Sequence, residues 1–553
     1  MGQTGAMGAP RPRTIRTLSV LSVLLIAIVA AGVAFQSTEH PRSGPGEAAQ
    51  QAQQPVVGEA GTCGGKPVVA QRELRAMWLT TVLNIDWPSQ PGLSEQAVKA
   101  EYLGWLDVAQ RQNHNAIYVH IRPSGDAFWP SQYAPWSEWL TGKRDGVSPG
   151  WDPLEWMIAQ THARNIEFHA WFNPYRGTQP APKGPGADVN KLAPNHPLRA
   201  HPEWIVAYPA GTSTSRLYFD PGIPAARKFV EDSMLEAVEK YDVDGVAFDD
   251  FFYPYPEGGG NEFADDASFA TYGKGFANKG DWRRDNVNTM IREMNERIKK
   301  LKPWVKFGIS PFGIWRNQTT DPTGSDTNGL QSYDQIYADT RTWVKQHWID
   351  AILPQLYWQI GFDRADYAKL LPWWSDVVKG TGVQLYIAQG DYRVGEPGAW
   401  SDPTELDRQM TLNQQYPVDG TVHFSAKSVL DDTLGAISLY AKNHYARPAL
   451  MPLMPQLPVA VPATPTLSTV RRVADGSVTV SWRPGEGTAA TSYAIYRLDG
   501  GADSAQLVGT VRAAGGEQSF VDKAASGANP TSRYCVSGLD RSWNEGRLTL
   551  PAP

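Results

Sequence analysis

Two adjacent carboxylates, Asp249 and Asp250, close the apolar run Gly245-Val246-Ala247-Phe248 and are followed by Phe251, Phe252, Tyr253 and Pro254. A short apolar run reads as a buried strand, and a pair of acids does not extend one, so the carboxylates mark its C-terminal end. Acids placed there can give and take protons as general acid and base. Taken alone, the pair also reads as a helix cap beside a solvated acid. The other strand-like segments carry a related set: Arg75 and Trp78, Arg122 and Asp126, Asn173 with Tyr175 and Arg176, then Tyr253, and then Gln355 with Tyr357 and Trp358. Arginine and amide groups bind hydroxyls and carboxylates, while Trp and Tyr rings cover the apolar face of a sugar. The set suits a polyhydroxylated ligand, a polysaccharide above all.

Residues of this kind need a frame that brings strand ends together. From about residue 72 to 446 apolar runs alternate with helical patterns. The strands are expected at 75–81, 116–122, 166–172, 244–248, 305–310, 351–358, 383–389 and 420–425. The helices are expected at 95–112, 152–164, 223–241, 285–301, 332–346, 363–378, 404–415 and 434–443. Asp152 followed by Pro153 is a helix start signal. Eight strands, each followed by a helix, predict an α/β chain with a (β/α)8 TIM barrel over 71–446. A Pro- and Gly-rich insertion after Arg176, to about Gly222, suits a substrate-facing loop.

Outside the barrel, 447–465 is Pro-rich and reads as a linker. Short strands with turns then fill 466–553. Trp482 on an early strand, Tyr493 and Tyr496 on the next and Tyr534 on a late one resemble a C-terminal all-β fibronectin type III sandwich, a spacer or docking unit. At the other end Arg11, Arg13 and Arg16 precede the apolar stretch 18–35, so 1–35 reads as a signal peptide or an N-terminal membrane anchor. Residues 36–70 read as a flexible linker. The chain is expected to be exported, either secreted or tethered at the outer face of the cytoplasmic membrane.

Composition excludes several classes. A net charge of −6 argues against a nucleic-acid partner. No Gly-x-Ser-x-Gly elbow and no phosphate-cradling glycine loop is present. His120, His169 and His423 are spread through strands and read as buried, hydrogen-bonded residues, so no metal or cofactor is expected. The two cysteines, Cys63 and Cys535, exclude a disulfide framework and leave a single bridge open.

Five segments carry a family resemblance: Glu73-Leu74-Arg75-Ala76-Met77-Trp78, Ile121-Arg122-Pro123-Ser124-Gly125-Asp126-Ala127, Trp171-Phe172-Asn173-Pro174-Tyr175-Arg176, Phe248-Asp249-Asp250-Phe251-Phe252-Tyr253-Pro254 and Pro354-Gln355-Leu356-Tyr357-Trp358. They resemble the glycosyl hydrolase-like ten family of bacterial cell-envelope proteins. The resemblance implies a barrel glycosidase, and one member of that family cleaves peptide-stripped peptidoglycan strands. That member is lipid-anchored, and here Cys63 lies too far from the leader for lipid attachment.

Two carboxylates on neighbouring residues do not easily flank a scissile bond in the usual two-acid arrangement. They fit a substrate-assisted reaction, in which a sugar's own 2-acetamido oxygen attacks the anomeric carbon. Asp249 would orient the acetamido group and Asp250 would act as acid and base. A conventional pair, with the partner Asp126, Asp220 or Asp391, is the alternative. A glycan-binding barrel without catalysis is another.

Overall fold

The computed structural model describes residues 61–257, 261–527 and 531–549. The expected leader and most of the spacer that follows it lie outside the described residues. Among the described residues no helix is long and apolar enough to cross a membrane.

Eight parallel strands close on themselves. In chain order they are Leu74–Leu79, Ala116–Arg122, Glu167–Phe172, Gly245–Phe248, Lys306–Ile309, a sixth in two pieces (Ala351–Ile352 and Gln355–Leu356), Gln384–Gln389 and Gly420–His423. Each pairs with the next, and the eighth returns to the first with Gly420 opposite Leu74 and His423 opposite Met77. Pro354 lies between the two pieces of the sixth strand; having no N–H, it cannot donate to the ladder. The helices follow the strands, from Glu95–Arg111 and Pro153–Ala163 to Ala436–His444. Asp152 caps the second of these by accepting from the Leu154 and Glu155 N–H groups. The helix expected at 332–346 is instead two short pieces, Ser332–Gln335 and Thr340–Lys345, separated by Tyr337 at a φ of 59°. The insertion after Arg176 carries its own hairpin, Ile205–Tyr208 paired with Arg216–Phe219.

The C-terminal region is all-β, in two sheets. One holds Thr466–Arg472, Val478–Arg483 and Gln518–Asp522, with Val478–Arg483 in the middle. In the other, Ser492–Leu498 lies between Ala505–Arg512 and Arg533–Leu539.

Two stretches expected to be loose are built in. Lys66–Val69, ahead of the barrel, adds a parallel strand to the second sheet beside Ala505–Arg512, and Cys63 is bonded to Cys535 in Arg533–Leu539. The Pro-rich 447–465 stretch packs beneath the barrel: Leu450, Met451, Met454 and Leu457 are buried. They belong to one apolar cluster that joins Leu74, Trp78 and Tyr386 inside the barrel to Tyr496, Leu507 and Leu539 of the second sheet. Isolated prolines suggested a linker, but the apolar residues between them found a surface to cover.

Candidate active site

The fourth strand ends at Phe248, and Asp249 and Asp250 stand on the step beyond it, at the C-terminal mouth of the barrel. Side chains alternate along a strand. Asp249 therefore follows Gly245 and Ala247 toward the barrel axis, and Asp250 leaves on the other side.

Asp249 is held by three N–H donors. The Trp171 Nε1–H donates to Oδ2 at 3.2 Å, the Asn173 amide reaches both oxygens at 3.2 and 3.3 Å, and the Phe251 backbone N–H donates to Oδ1 at 3.2 Å. A carboxylate offers about four lone-pair positions, so roughly one is left for a ligand. Asp250 accepts a short hydrogen bond from the Tyr255 hydroxyl, and the Gln355 side chain also reaches it. Gln355 is itself anchored by its amide on the Ser310 carbonyl at 3.0 Å.

Both acids are buried, with 6% and 3% of their surface exposed. Burial and then the charge of Asp250 push Asp249 up to about 7, against the opposing pull of Arg176, the Phe251 N–H and Asn173. Burial also raises Asp250, while the Tyr255 hydroxyl, Gln355 and Arg176 pull it down. Two acids so close cannot both ionise freely, so the pair retains a proton into the neutral range.

Aromatic rings line the rim. Phe251, Tyr255, Phe312 and Trp358, all half-buried, form a row of edge-to-face contacts with centroids 5.4–5.9 Å apart. A second group, Tyr357, Tyr392 and Phe424, meets at 5.7–5.9 Å. Half-buried rings beside paired acids are the surfaces a pyranose can lie on.

The expected site residues divide. Asn173, Arg176, Gln355, Tyr357 and Trp358 gather around the pair. Trp78 lies one layer lower, its ring 4.9 Å from Trp171. Arg122 supports from behind, donating to the Asn173 and Pro174 carbonyls at 2.8 and 3.0 Å. Asp126 caps its own loop by accepting from the Ser124 N–H at 2.8 Å, and burial pushes it up to about 6.

Three residues do not belong at the mouth. Arg75 sits near the start of the first strand, at the opposite end of the barrel, where it donates to the Arg447 and His444 carbonyls and faces the Tyr445 ring at 4.4 Å. Tyr175 is fully buried near Arg227 and Glu231 of the helix Pro224–Lys240. Tyr253 packs against Phe263, Tyr337 and Arg283.

Sequence reasoning missed Trp171 and Tyr255. Trp171 was legible in principle, since strand alternation puts it on the same face as His169. Tyr255 follows Pro254 in a loop, where no periodicity points.

The alternative acids are engaged elsewhere. Asp220 accepts from Ser268 and the Gly222 N–H, and Asp391 faces His423 at 3.0 Å. His169 pairs with Glu167 at 2.8 Å, and His120 stacks on Trp171 at 3.8 Å. Among the described residues no cluster of His, Cys, Asp and Glu could hold a metal ion.

Residues 73–405 match the family described as Glycosyl hydrolase-like 10. The chain belongs to that family. It is a glycoside hydrolase. A relative from Bacillus subtilis (strain 168), "Glycosyl hydrolase YngK", is 46% identical over 87% of this chain and 93% of its own length. "Glycosyl hydrolase DigH" of Escherichia coli (strain K12) is 39% identical over 65% of this chain and 85% of its own. Among solved structures, the PgaB (BpsB) glycoside hydrolase domain from Bordetella bronchiseptica is 13% identical, covering 67% of this chain and 98% of its own, at a TM-score of 0.43. The family match begins at Glu73 in the lead-in to the first strand and spans the acid pair, Asn173, Arg176, Gln355, Tyr357 and Trp358.

Proposed function

We propose that this glycosyl hydrolase-like 10 protein cleaves glycosidic bonds in an N-acetylated cell-envelope glycan, peptide-stripped peptidoglycan strands in the first place, by substrate-assisted catalysis. The observation that supports this reading is the unequal setting of two neighbouring acids. Asp249 is surrounded by N–H donors that hold it still and leave it about one free acceptor position. Asp250 has a hydroxyl and an amide side chain as partners, on a rim of rings.

In this reading a sugar carrying a 2-acetamido group lies over the pair. Asp249 accepts the acetamido N–H and fixes the group beneath the anomeric carbon. The acetamido oxygen attacks that carbon while Asp250 gives its proton to the departing glycosidic oxygen, closing an oxazolinium ring. Asp250, now ionised, takes a proton from water as the water reopens the ring. The pair shares one proton into the neutral range; once the acetamido N–H holds Asp249 as an acceptor, that proton rests on Asp250, where the leaving oxygen requires it. The Tyr255 hydroxyl turns away from Asp250, or the other carboxyl oxygen acts. Tyr357 bonds the acetamido group and Trp358 underlies the sugar.

We further read the C-terminal sheets as a fibronectin type III-like unit, and the N-terminal segment as an export signal or tether that places the enzyme at the envelope. The test of the reaction is release of reducing ends from peptide-stripped glycan strands and from chitooligosaccharides by the purified chain. Activity lost in Asp250→Asn with the fold intact supports it. No new reducing ends on either substrate rejects it. Cleavage confined to glycans without N-acetyl groups rejects the substrate-assisted route and returns the conventional two-acid alternative.

A further inference from the structure

Arg176 stands apart from the other buried arginines. Charges removed from water are normally paired. Arg283, 3% exposed, grips both oxygens of Asp265 at 2.5 and 2.7 Å. Arg75 pairs with Glu73 at 2.9 Å, and Arg122 spends its guanidinium on two carbonyls. Arg176 is 95% buried, and its guanidinium makes neither a hydrogen bond nor an ion pair among the described residues; its Nε is sealed off without a partner. Its guanidinium lies over the face of Phe251, 4.0 Å from the guanidinium carbon to the ring centroid.

The position is built. The Arg176 backbone N–H donates to the Asn173 side-chain oxygen at 3.2 Å, and the same Asn173 amide holds Asp249. Arg176 also bridges to Tyr218 of the insertion hairpin. The charged and titratable groups that act on it are Tyr218, Asp249, Arg216 and Asp250. Asp249 and Asp250 are the carboxyls among them, yet neither is in ion-pair range, and the proton they retain weakens their claim on it. The result is a fixed guanidinium, with its fork unspent, on the rim beside the residue that follows the acid pair. A guanidinium fork matches the geometry of a carboxylate bidentately.

We propose that Arg176 binds a carboxylate substituent of the sugar held at Asp249 and Asp250, and so selects acidic glycans. This inference rests on the glycan reading above and names its substrate class. Two sources share that chemistry. One is a lactyl ether carboxylate, which is free on a peptide-stripped muramic acid residue and becomes a neutral amide when a peptide is attached. The other is the ring carboxylate of a uronic acid. The first would make removal of the peptide a chemical requirement for cleavage.

The experiment compares kcat/KM of the full chain on three matched pairs. These are stripped glycan strands with the lactyl carboxylate free or chemically amidated, a hexuronate oligosaccharide free or as its methyl ester, and stripped strands against chitooligosaccharides. A charge-assisted bond sets the scale of the expected preference at about 10- to 100-fold for the free acid. Arg176→Gln brings that ratio close to one, and Arg176→Lys restores part of it. Taking the ratio cancels any change that losing Arg176 makes to the acid pair itself.

A preference confined to the hexuronate pair, abolished in Arg176→Gln, upholds the inference and rejects the N-acetylated substrate. Free-acid and neutral members cleaved equally fast in every pair, amidated strands and chitooligosaccharides included, overturn the inference and leave the N-acetylated reading standing. Arg176→Gln lowering both members of a pair equally overturns it as well. Should that variant fail to fold, calorimetric titration of the Asp250→Asn chain with N-acetylmuramic acid and N-acetylglucosamine decides. Tighter binding of the acid upholds the inference and equal binding overturns it.

Discussion

The fourth strand has an acid at each end, and the two ends are treated differently. At the floor Asp244 accepts from His162 at 2.7 Å and from the Phe168 N–H at 2.8 Å, with Arg541 of the C-terminal region at 3.2 Å. Burial alone would raise this carboxyl, but His162, Arg541 and Arg512 hold it well below the usual range. Glu167 on the neighbouring strand likewise faces Lys306 at 2.5 Å, His169 at 2.8 Å and the Trp543 indole at 2.6 Å, and its pKa falls despite burial. At the mouth the equally buried Asp249 and Asp250 have, among the described residues, no cation in ion-pair range, and theirs rise. The floor spends its charges on holding the C-terminal sheets beneath the barrel. The mouth leaves its charges underpaired, which costs stability and keeps a proton available. Such local expense is expected where chemistry happens.

The comparison can be broken most decisively at Asp250. Asp250→Asn should lower kcat by about 10²- to 10⁴-fold, the range for a lost general acid, with no fall in the melting midpoint. A variant that unfolds instead would make the mouth structural. At the floor the reverse is expected. Glu167→Ala leaves Lys306 buried without its carboxylate and should cost about 3–5 kcal/mol by denaturant titration, with kcat per folded molecule retained. Loss of activity without loss of stability would erase the distinction.

Cys63→Ser should destabilise by about 2–5 kcal/mol, since the bond ties the strand ahead of the barrel to the C-terminal sheet. A chain as stable reduced as oxidised would show that the clasp adds nothing to the sheet pairing.

Asp249→Asn separates the two ends by pH. A carboxyl raised to about 7 in the fold, against about 3.9 unfolded, is tolerated fully below pH 4, and that tolerance is lost as pH rises to 7. The variant's melting temperature should therefore match the parent at pH 4 and exceed it at pH 8. Glu167, with its pKa lowered, contributes stability above about pH 4.3 and loses it as pH falls. Its variant should deviate in the opposite pH direction. The smallest effect is expected for Tyr255→Phe. Removing the hydroxyl that pulls the Asp250 pKa down should move the basic limb of the pH–rate profile upward, with kcat changed only a few-fold.

How far the site could be read from the sequence follows the local geometry of each residue. Asp249 and Asp250 were visible because a strand's apolar run stops abruptly at them. Asn173, Gln355 and Tyr357 were visible because they end strands in the same way. Arg75 was misplaced because a charged residue inside an apolar strand can belong to either end. Only the position of Asn115, Arg447 and Tyr445 around it puts it on the floor. Tyr253 and Tyr255 are chemically alike and two residues apart, yet one packs into the core and the other covers Asp250. Pro254 between them removes the alternation that would have told them apart.

The sequence by itself determined the barrel, through the period of its apolar runs, and the end of the barrel where the acids stand, through the direction every βα unit shares. Which acids are paired and which are left wanting was decided only by tertiary structure. A carboxyl's charge state depends on what other segments bring within a few ångströms. Here Lys306, His162, Arg541 and Trp543 arrive at the floor from far along the chain, and at the mouth Arg176 comes close without engaging Asp249 or Asp250.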